Sequence, residues 1–170
     1  GFAVFVVDNT NRTEARYWID DFLRVRQRQD NYHNTHNTLA MCKKYVTKHL
    51  SKEFEVSKAD QAELLNETMK YFQEQESFSM DDFSEKVIRQ PEVVESFTRF
   101  RQEYEQERDI RIEDEFGISD SAVKKQARSY KSVIKLDRNF HIYVHGNRNL
   151  LEQGEDEKGK FYKVYYEEEE

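Results

Sequence analysis

Residues 57–72 read SKADQAELLNETMKYF, and this stretch predicts a helix in the middle of the chain. Ser57 is placed to cap the first turn of that helix, with Asp60 three residues further on, which is the spacing of a capping box. The apolar residues behind the cap recur at helical spacing, so we expect them to form one buried face. These residues are Ala59, Ala62, Leu65, Met69 and Phe72.

Further helices are predicted on both sides of this stretch. Ser79 and Ser119 are placed to cap two of them, and Pro91 suits the first turn of a third. Residues 109–118 break the helical pattern. The additional predicted helices cover residues 32–50, 80–89, 91–108 and 120–130.

Strand patterns occupy both ends of the chain. Residues 2–7 form a continuous apolar run that predicts a buried strand, and residues 15–19 predict a second one. Three more strands are predicted over residues 132–136, 140–145 and 160–166. The intervening residues 146–159 are predicted to be a loop with a helical turn near residues 148–151.

This order of elements predicts an α+β fold. We expect a helical middle section, an antiparallel β-meander at the C-terminus and one or two N-terminal strands, with the strands of the two ends as candidates for one shared sheet. A length of 170 residues suits a single domain over residues 1–170. Because the chain starts inside a predicted strand, we expect it to be part of a longer protein.

The composition is that of a folded protein without a membrane span. Hydrophobic residues make up 36% of the chain, and no apolar run approaches the roughly 18 residues of a transmembrane helix. No signal-peptide pattern opens the sequence. Cys42 is the only cysteine, so no internal disulfide can form, and a cytoplasmic setting follows as the default expectation.

Charge is distributed unevenly along the sequence. The net charge is −7, but residues 121–153 carry seven basic against two acidic residues, whereas residues 53–120 carry eight against twenty. A basic block in an acidic protein indicates an anionic partner, of which nucleic acid is the commonest. We therefore predict contacts to the phosphates of double-stranded DNA that do not read its sequence. The predicted DNA-binding residues are Lys124, Lys125, Arg128, Lys131, Lys135 and Arg138.

Two other interpretations of the basic residues stay open. In the first, the basic block faces the acidic middle segment of its own chain. The second concerns Arg24, Arg26 and Arg28. They form either an extended arm that contacts phosphates or a minor groove, or a soluble edge strand that discourages strand pairing. We favour the edge strand.

The sequence offers little for catalysis, because it contains no GxSxG, P-loop, GxGxxG or HExxH pattern. His33 and His36 lack further ligands for zinc, and Cys42 lies on the apolar side of its helix, where we expect it to be inert. Asp20 and Asp21 form an acidic pair beside aromatic residues, which leaves a metal-dependent phosphodiester enzyme as a third hypothesis. We predict no catalytic residue, no metal site and no cofactor.

Four tyrosines near the C-terminus have two candidate roles. They either stack on the bases of single-stranded nucleic acid or pack across strands, and we favour packing. These residues are Tyr143, Tyr162, Tyr165 and Tyr166.

Several stretches together resemble the bacterial 37-kDa nucleoid-associated protein family. They are EARYWIDDFLRV at residues 14–25, EVSKADQAELLNETMKYF at 55–72, AVKKQARSYKSVIKLDRNFHIYVHGN at 122–147 and the closing GKFYKVYY at 159–166. The resemblance extends over essentially the whole chain and implies the C-terminal half of a family member. It also implies association with the bacterial nucleoid and with DNA, and it carries no catalytic residues.

We therefore expect a non-enzymatic, cytoplasmic, nucleoid-associated protein that binds DNA through phosphate contacts. The alternative is a protein-interaction or homodimerisation domain, in which the basic block contacts the acidic segment of a second copy and DNA is held elsewhere.

Overall fold

The computed structural model describes residues 29–130, 133–145 and 148–168. Six α-helices occur within these ranges: α1 Asn31–Lys44, α2 Leu50–Glu53, α3 Lys58–Glu74, α4 Met80–Phe83, α5 Pro91–Arg108 and α6 Asp120–Ala127. Two π-helical turns, Tyr45–His49 and Ser84–Ile88, extend α1 and α4, and a 3₁₀ turn covers Arg148–Leu150. The strands are β1 Ser77–Ser79, β2 Glu115–Gly117, β3 Val133–Leu136, β4 Phe140–Tyr143, β5 Leu151–Asp156 and β6 Gly159–Val164.

The predicted start signals explain where three of these helices, α3, α4 and α5, begin. The Ser57 hydroxyl accepts a hydrogen bond from the Asp60 backbone N–H at 3.1 Å, and the Asp60 carboxylate accepts one from the Ser57 N–H at 2.8 Å, so the capping box is confirmed. Ser79 caps α4 in the same sense, and Pro91 occupies the first turn of α5. The prediction for Ser119 was wrong: it stands at the N-cap of α6, but its side chain makes no capping hydrogen bond.

Two predicted helices have different ends in the structure. The helix predicted over residues 32–50 continues through a π-turn to Glu53. The helix predicted over residues 120–130 ends at Ala127, and the backbone N–H of Tyr130 then closes a tighter turn on the Ala127 carbonyl at 3.1 Å. The Tyr130 side chain is buried, and its hydroxyl donates to the Leu39 carbonyl oxygen, so contact with α1 decides where α6 stops.

The break predicted at residues 109–118 is confirmed. Asp109 ends α5 in a left-handed conformation with φ 50°. Arg101 then fastens the following segment to α5, donating to the Asp114 carboxylate at 2.6 Å and to the Ile112 carbonyl at 2.5 Å. Glu105 accepts from the Ile112 backbone N–H at 2.7 Å, so this glutamate is a structural residue.

The main core is built from aromatic rings of the helices and of a short antiparallel ladder. β1 and β2 pair with Phe78 opposite Phe116, and the two rings stack with centroids 4.8 Å apart. The sequence did not predict these three-residue strands, because runs of that length carry no readable period. Tyr45 is buried in the same core, and its hydroxyl donates to Ser96 at 3.0 Å.

The C-terminal strands form two separate antiparallel hairpins, β3–β4 and β5–β6. β5 covers residues 151–156, so the loop prediction for these residues was wrong. The sequence LEQGED shows no alternation of apolar and polar residues, and therefore carries no strand signal. The 3₁₀ turn before β5 agrees with the predicted helical turn. The α+β class and the antiparallel C-terminal strands are confirmed.

A second, smaller core joins these hairpins to α3. Its buried residues are Ala59, Ala62, Ile134, Val144 and Leu151. Ala59 and Ala62 belong to α3, whose other apolar side chains face the main core. Helix α3 therefore lies between the two cores and positions the hairpins.

Several predictions fall outside the described residues. These are the strands over residues 2–7 and 15–19 with the shared sheet, the arginines Arg24, Arg26 and Arg28, the pair Asp20 and Asp21, and Lys131.

Candidate nucleic-acid interface

Helix α6 is fixed against α1 by its apolar side and by side-chain hydrogen bonds. Ala122 and Val123 are buried. The backbone N–H of Ser119 donates to the Thr35 hydroxyl at 3.0 Å. Packing of this kind leaves the opposite side of α6 and its C-terminal turn at the surface.

Three of the predicted cations occupy that exposed side. Lys124 and Lys125 lie in the last turn of α6, and Arg128 is the C-cap residue; all three side chains are exposed. Cations at this end of a helix also complement its dipole. Lys125 contacts the Tyr32 hydroxyl at 3.4 Å, which still leaves the ammonium group at the surface.

Lys135 and Arg138 lie on the β3–β4 hairpin. Lys135 pairs in register with His141, and Val133 pairs with Tyr143. Because alternate residues share a face of a strand, these four side chains form the face opposite the second core, and we call it the outer face. Arg138 is exposed in the turn between the strands, directly after Asp137, which has φ 51°.

The predicted cations form no ion pairs within the described ranges. Lys124, Lys125, Arg128, Lys135 and Arg138 have no carboxylate oxygen within 4 Å there, unlike Lys44, which contacts Glu107 at 2.9 Å, and Arg99, which contacts Glu53 at 2.8 Å. Among the described residues, therefore, nothing neutralises these five exposed positive charges. Their assignment as DNA contacts stays a prediction.

A further row of lysines was missed by sequence reasoning. Lys44, Lys48 and Lys52 follow one another at intervals of four residues beside a shallow cavity of about 380 Å³. The spacing was the available signal, since residues four apart lie on one helical face. Glu103 and Glu107 line the same cavity, which makes it less suited to a polyanion.

The remaining candidate groups are engaged in the fold. His33 contacts the Asp30 carboxylate at 2.8 Å, whereas His36 contacts the Gln126 amide at 2.9 Å, so the two histidines have different partners. Cys42 is buried as predicted, and burial raises the pKa of its thiol well above the usual range. Over the part of the chain that the structure describes, no cluster of three His, Cys, Asp or Glu residues is arranged to hold a metal ion.

In that same part of the chain, no helix has the length and apolar character needed to cross a membrane.

Comparison with known protein families identifies a match over nearly the full sequence. A family model described as NA37, nucleoid-associated protein YejK, matches residues 1–169, which is essentially the whole chain. No curated protein and no solved structure shows significant similarity. The match confirms the resemblance indicated by the sequence: this chain belongs to the NA37 family of nucleoid-associated proteins.

Proposed function

We propose that this protein binds double-stranded DNA in the bacterial nucleoid, without catalysing a reaction, through largely sequence-independent phosphate contacts. One observation carries the proposal: five of the six predicted cations are exposed and form no ion pair among the described residues. A cation without an internal partner gains most from meeting a phosphate, because no existing ion pair has to be broken.

The contacts are divided between two structural elements. Lys124, Lys125 and Arg128 surround the C-terminal end of α6, whereas Lys135 and Arg138 lie on the first hairpin. Each cation that meets a phosphate releases a condensed counterion, and this release drives binding. The acidic segment of residues 53–120 repels DNA and thereby favours one orientation of the protein.

A salt titration of binding tests this proposal. We expect the variant Lys124→Gln/Lys125→Gln/Arg128→Gln to bind duplex DNA more weakly. If each residue meets one phosphate, the negative slope of log affinity against log salt becomes shallower by about 2.7.

The matched control is Lys48→Gln/Lys52→Gln/Lys70→Gln, which removes the same charge from exposed positions elsewhere. Equal slopes for the two variants would show that binding follows net charge alone. If the variant at Lys124, Lys125 and Arg128 has the same slope as the unmodified protein, these residues do not contact DNA. Plasmid that becomes nicked with magnesium or manganese would contradict the non-enzymatic part of the proposal.

A protein-interaction function is the second candidate. It is favoured by the large exposed hydrophobic side chains of residues 140–166, which include Phe140 and Tyr166. Here the basic block contacts the acidic segment of a second copy. Light scattering at low and high salt separates the two candidates, because a salt-sensitive dimer without DNA affinity supports only this one.

A further inference from the structure

The outer face of the β3–β4 hairpin combines exposed aromatic rings with cations. Tyr143 is 59% exposed and lies on the same face as Lys135 and His141. His145 continues this face, because it is two residues beyond Tyr143. The register positions of the outer face carry no acidic residue; the nearest acid in the hairpin is Asp137, in the turn.

The rings of Tyr143 and His145 have a defined arrangement. Their centroids are 6.3 Å apart and their planes are within 7° of parallel. Both rings lie on the outer face, and parallel aromatic rings there offer flat surfaces on which an unpaired base can stack.

The hairpin holds this face outward. Ile134 and Val144 are buried in the second core on the opposite side, and the Asn66 amide donates to the Val144 carbonyl oxygen at 3.1 Å. The outer face therefore cannot turn inward without losing these contacts. The backbone that carries the two rings is therefore already held in place before a ligand binds, which lowers the entropic cost of binding.

Two of the other tyrosines singled out by the sequence, Tyr162 and Tyr165, already have structural roles. Tyr162 packs against the second core. The Tyr165 hydroxyl donates to Glu152 at 2.8 Å, and the Lys163 ammonium lies 5.7 Å from the centroid of the Tyr165 ring. The register partner of Tyr143 is Val133, which is not aromatic, so cross-strand ring packing does not account for Tyr143.

We propose that Tyr143 and His145 form a stacking site for an unpaired base of single-stranded DNA, with Lys135 and Arg138 contacting the adjoining phosphates. Stacking on aromatic side chains combined with cations along the backbone is how proteins bind single strands without reading sequence. The inference deepens the proposed function and rests on it for the phosphate contacts. It adds a preference for melted or gapped DNA that phosphate contacts alone do not provide.

Binding of three probes to the full chain at one salt concentration tests the inference. The probes are an oligodeoxythymidine strand, an abasic strand of the same length and a duplex of the same length. The abasic strand keeps the phosphates and lacks the bases. We expect the thymidine strand to bind about tenfold more tightly than the abasic strand.

Substitutions at Tyr143 assign this preference to the site. Tyr143→Leu should abolish the difference between the two single strands, Tyr143→Phe should retain it, and Tyr166→Leu is the control at a second exposed tyrosine. Duplex affinity should be unchanged in Tyr143→Leu, which also shows that the hairpin is still folded.

The possible failures are distinguishable. Equal affinity for thymidine and abasic strands, with the duplex still bound, would overturn the stacking site and leave the proposed function intact. The stacking site would also be overturned if Tyr143→Leu still bound the thymidine strand more tightly than the abasic strand by the full factor. Absence of binding to all three probes would overturn both. An oligouridine strand that binds like oligodeoxythymidine would show that the site accepts unpaired bases of either nucleic acid.

Discussion

The Asn66 side-chain amide donates a hydrogen bond to the backbone carbonyl oxygen of Val144 at 3.1 Å, joining α3 to the first C-terminal hairpin. Val144 is itself buried in the second core, which also contains Ala62 of α3. This attachment determines which side of the hairpin faces outward, and thus where Lys135 and Tyr143 are presented.

Removing this attachment should loosen the hairpin more than the helical core. We expect Asn66→Ala to lower the free energy of unfolding by about 1 kcal/mol, because a part-buried hydrogen bond is lost. Hydrogen exchange should increase first at the amides of β3 and β4. The control is Gln73→Ala, at an exposed amide on the same helix. Equal exchange in the two variants would contradict an anchoring role for Asn66.

The two serines at helix N-caps should respond differently to substitution. Ser57→Ala removes a complete capping box and should cost about 1 kcal/mol in urea unfolding. Ser119→Ala should cost much less, because the Ser119 side chain makes no capping bond. Its hydrogen-bond partner among the described residues is the Ser121 hydroxyl. If both variants lose the same free energy of unfolding, the capping hydrogen bonds of Ser57 do not contribute to stability.

Gly154 lies directly beneath an aromatic ring in the second hairpin. A Cβ at this position would meet the Cζ atom of Phe161 at 2.4 Å, so the ring must move away. We expect Gly154→Ala to cost about 1 kcal/mol through overpacking. Phe161→Leu should relieve most of this cost, so the double-mutant cycle gives a coupling energy in unfolding experiments. Additive losses would mean that the ring does not rest on the glycine.

The stability of the second hairpin should depend on acid pH. Tyr165, by donating to the carboxylate, holds the pKa of Glu152 below its usual value, with Lys163 contributing. A lowered pKa in the folded state means that stabilisation is complete above the unfolded value, about 4.3, and is lost as the pH falls through the folded value. Tyr165→Phe should raise the pKa of Glu152 in a carboxyl NMR titration, whereas Tyr166→Phe should leave it unchanged.

Local sequence determined the helices and most of their ends. The capping box of Ser57 and Asp60, the proline at the start of α5 and the break after Arg108 were all predictable, because they depend on residues within one or two helical turns. The α+β class followed from the order of these elements, and the family resemblance was visible in the quoted stretches.

Tertiary contacts decided the features that local patterns could not show. Phe78 pairs with Phe116 across the whole of α5, and no short-range period predicts such a partner. Glu105 accepts a hydrogen bond from the backbone N–H of Ile112, a contact that helical spacing does not predict, because Arg101 holds that segment against α5.

For the candidate interface, too, some features follow from the sequence and others only from the tertiary structure. The sequence by itself determined which residues carry positive charge and that they cluster along residues 121–153. Only the tertiary structure decided that Lys124, Lys125, Arg128, Lys135 and Arg138 are exposed and form no ion pair with another described residue. It also decided that Tyr143 faces outward beside Lys135. Charge is a property of each residue, whereas exposure and pairing depend on which distant surfaces come together when α3 packs against both cores.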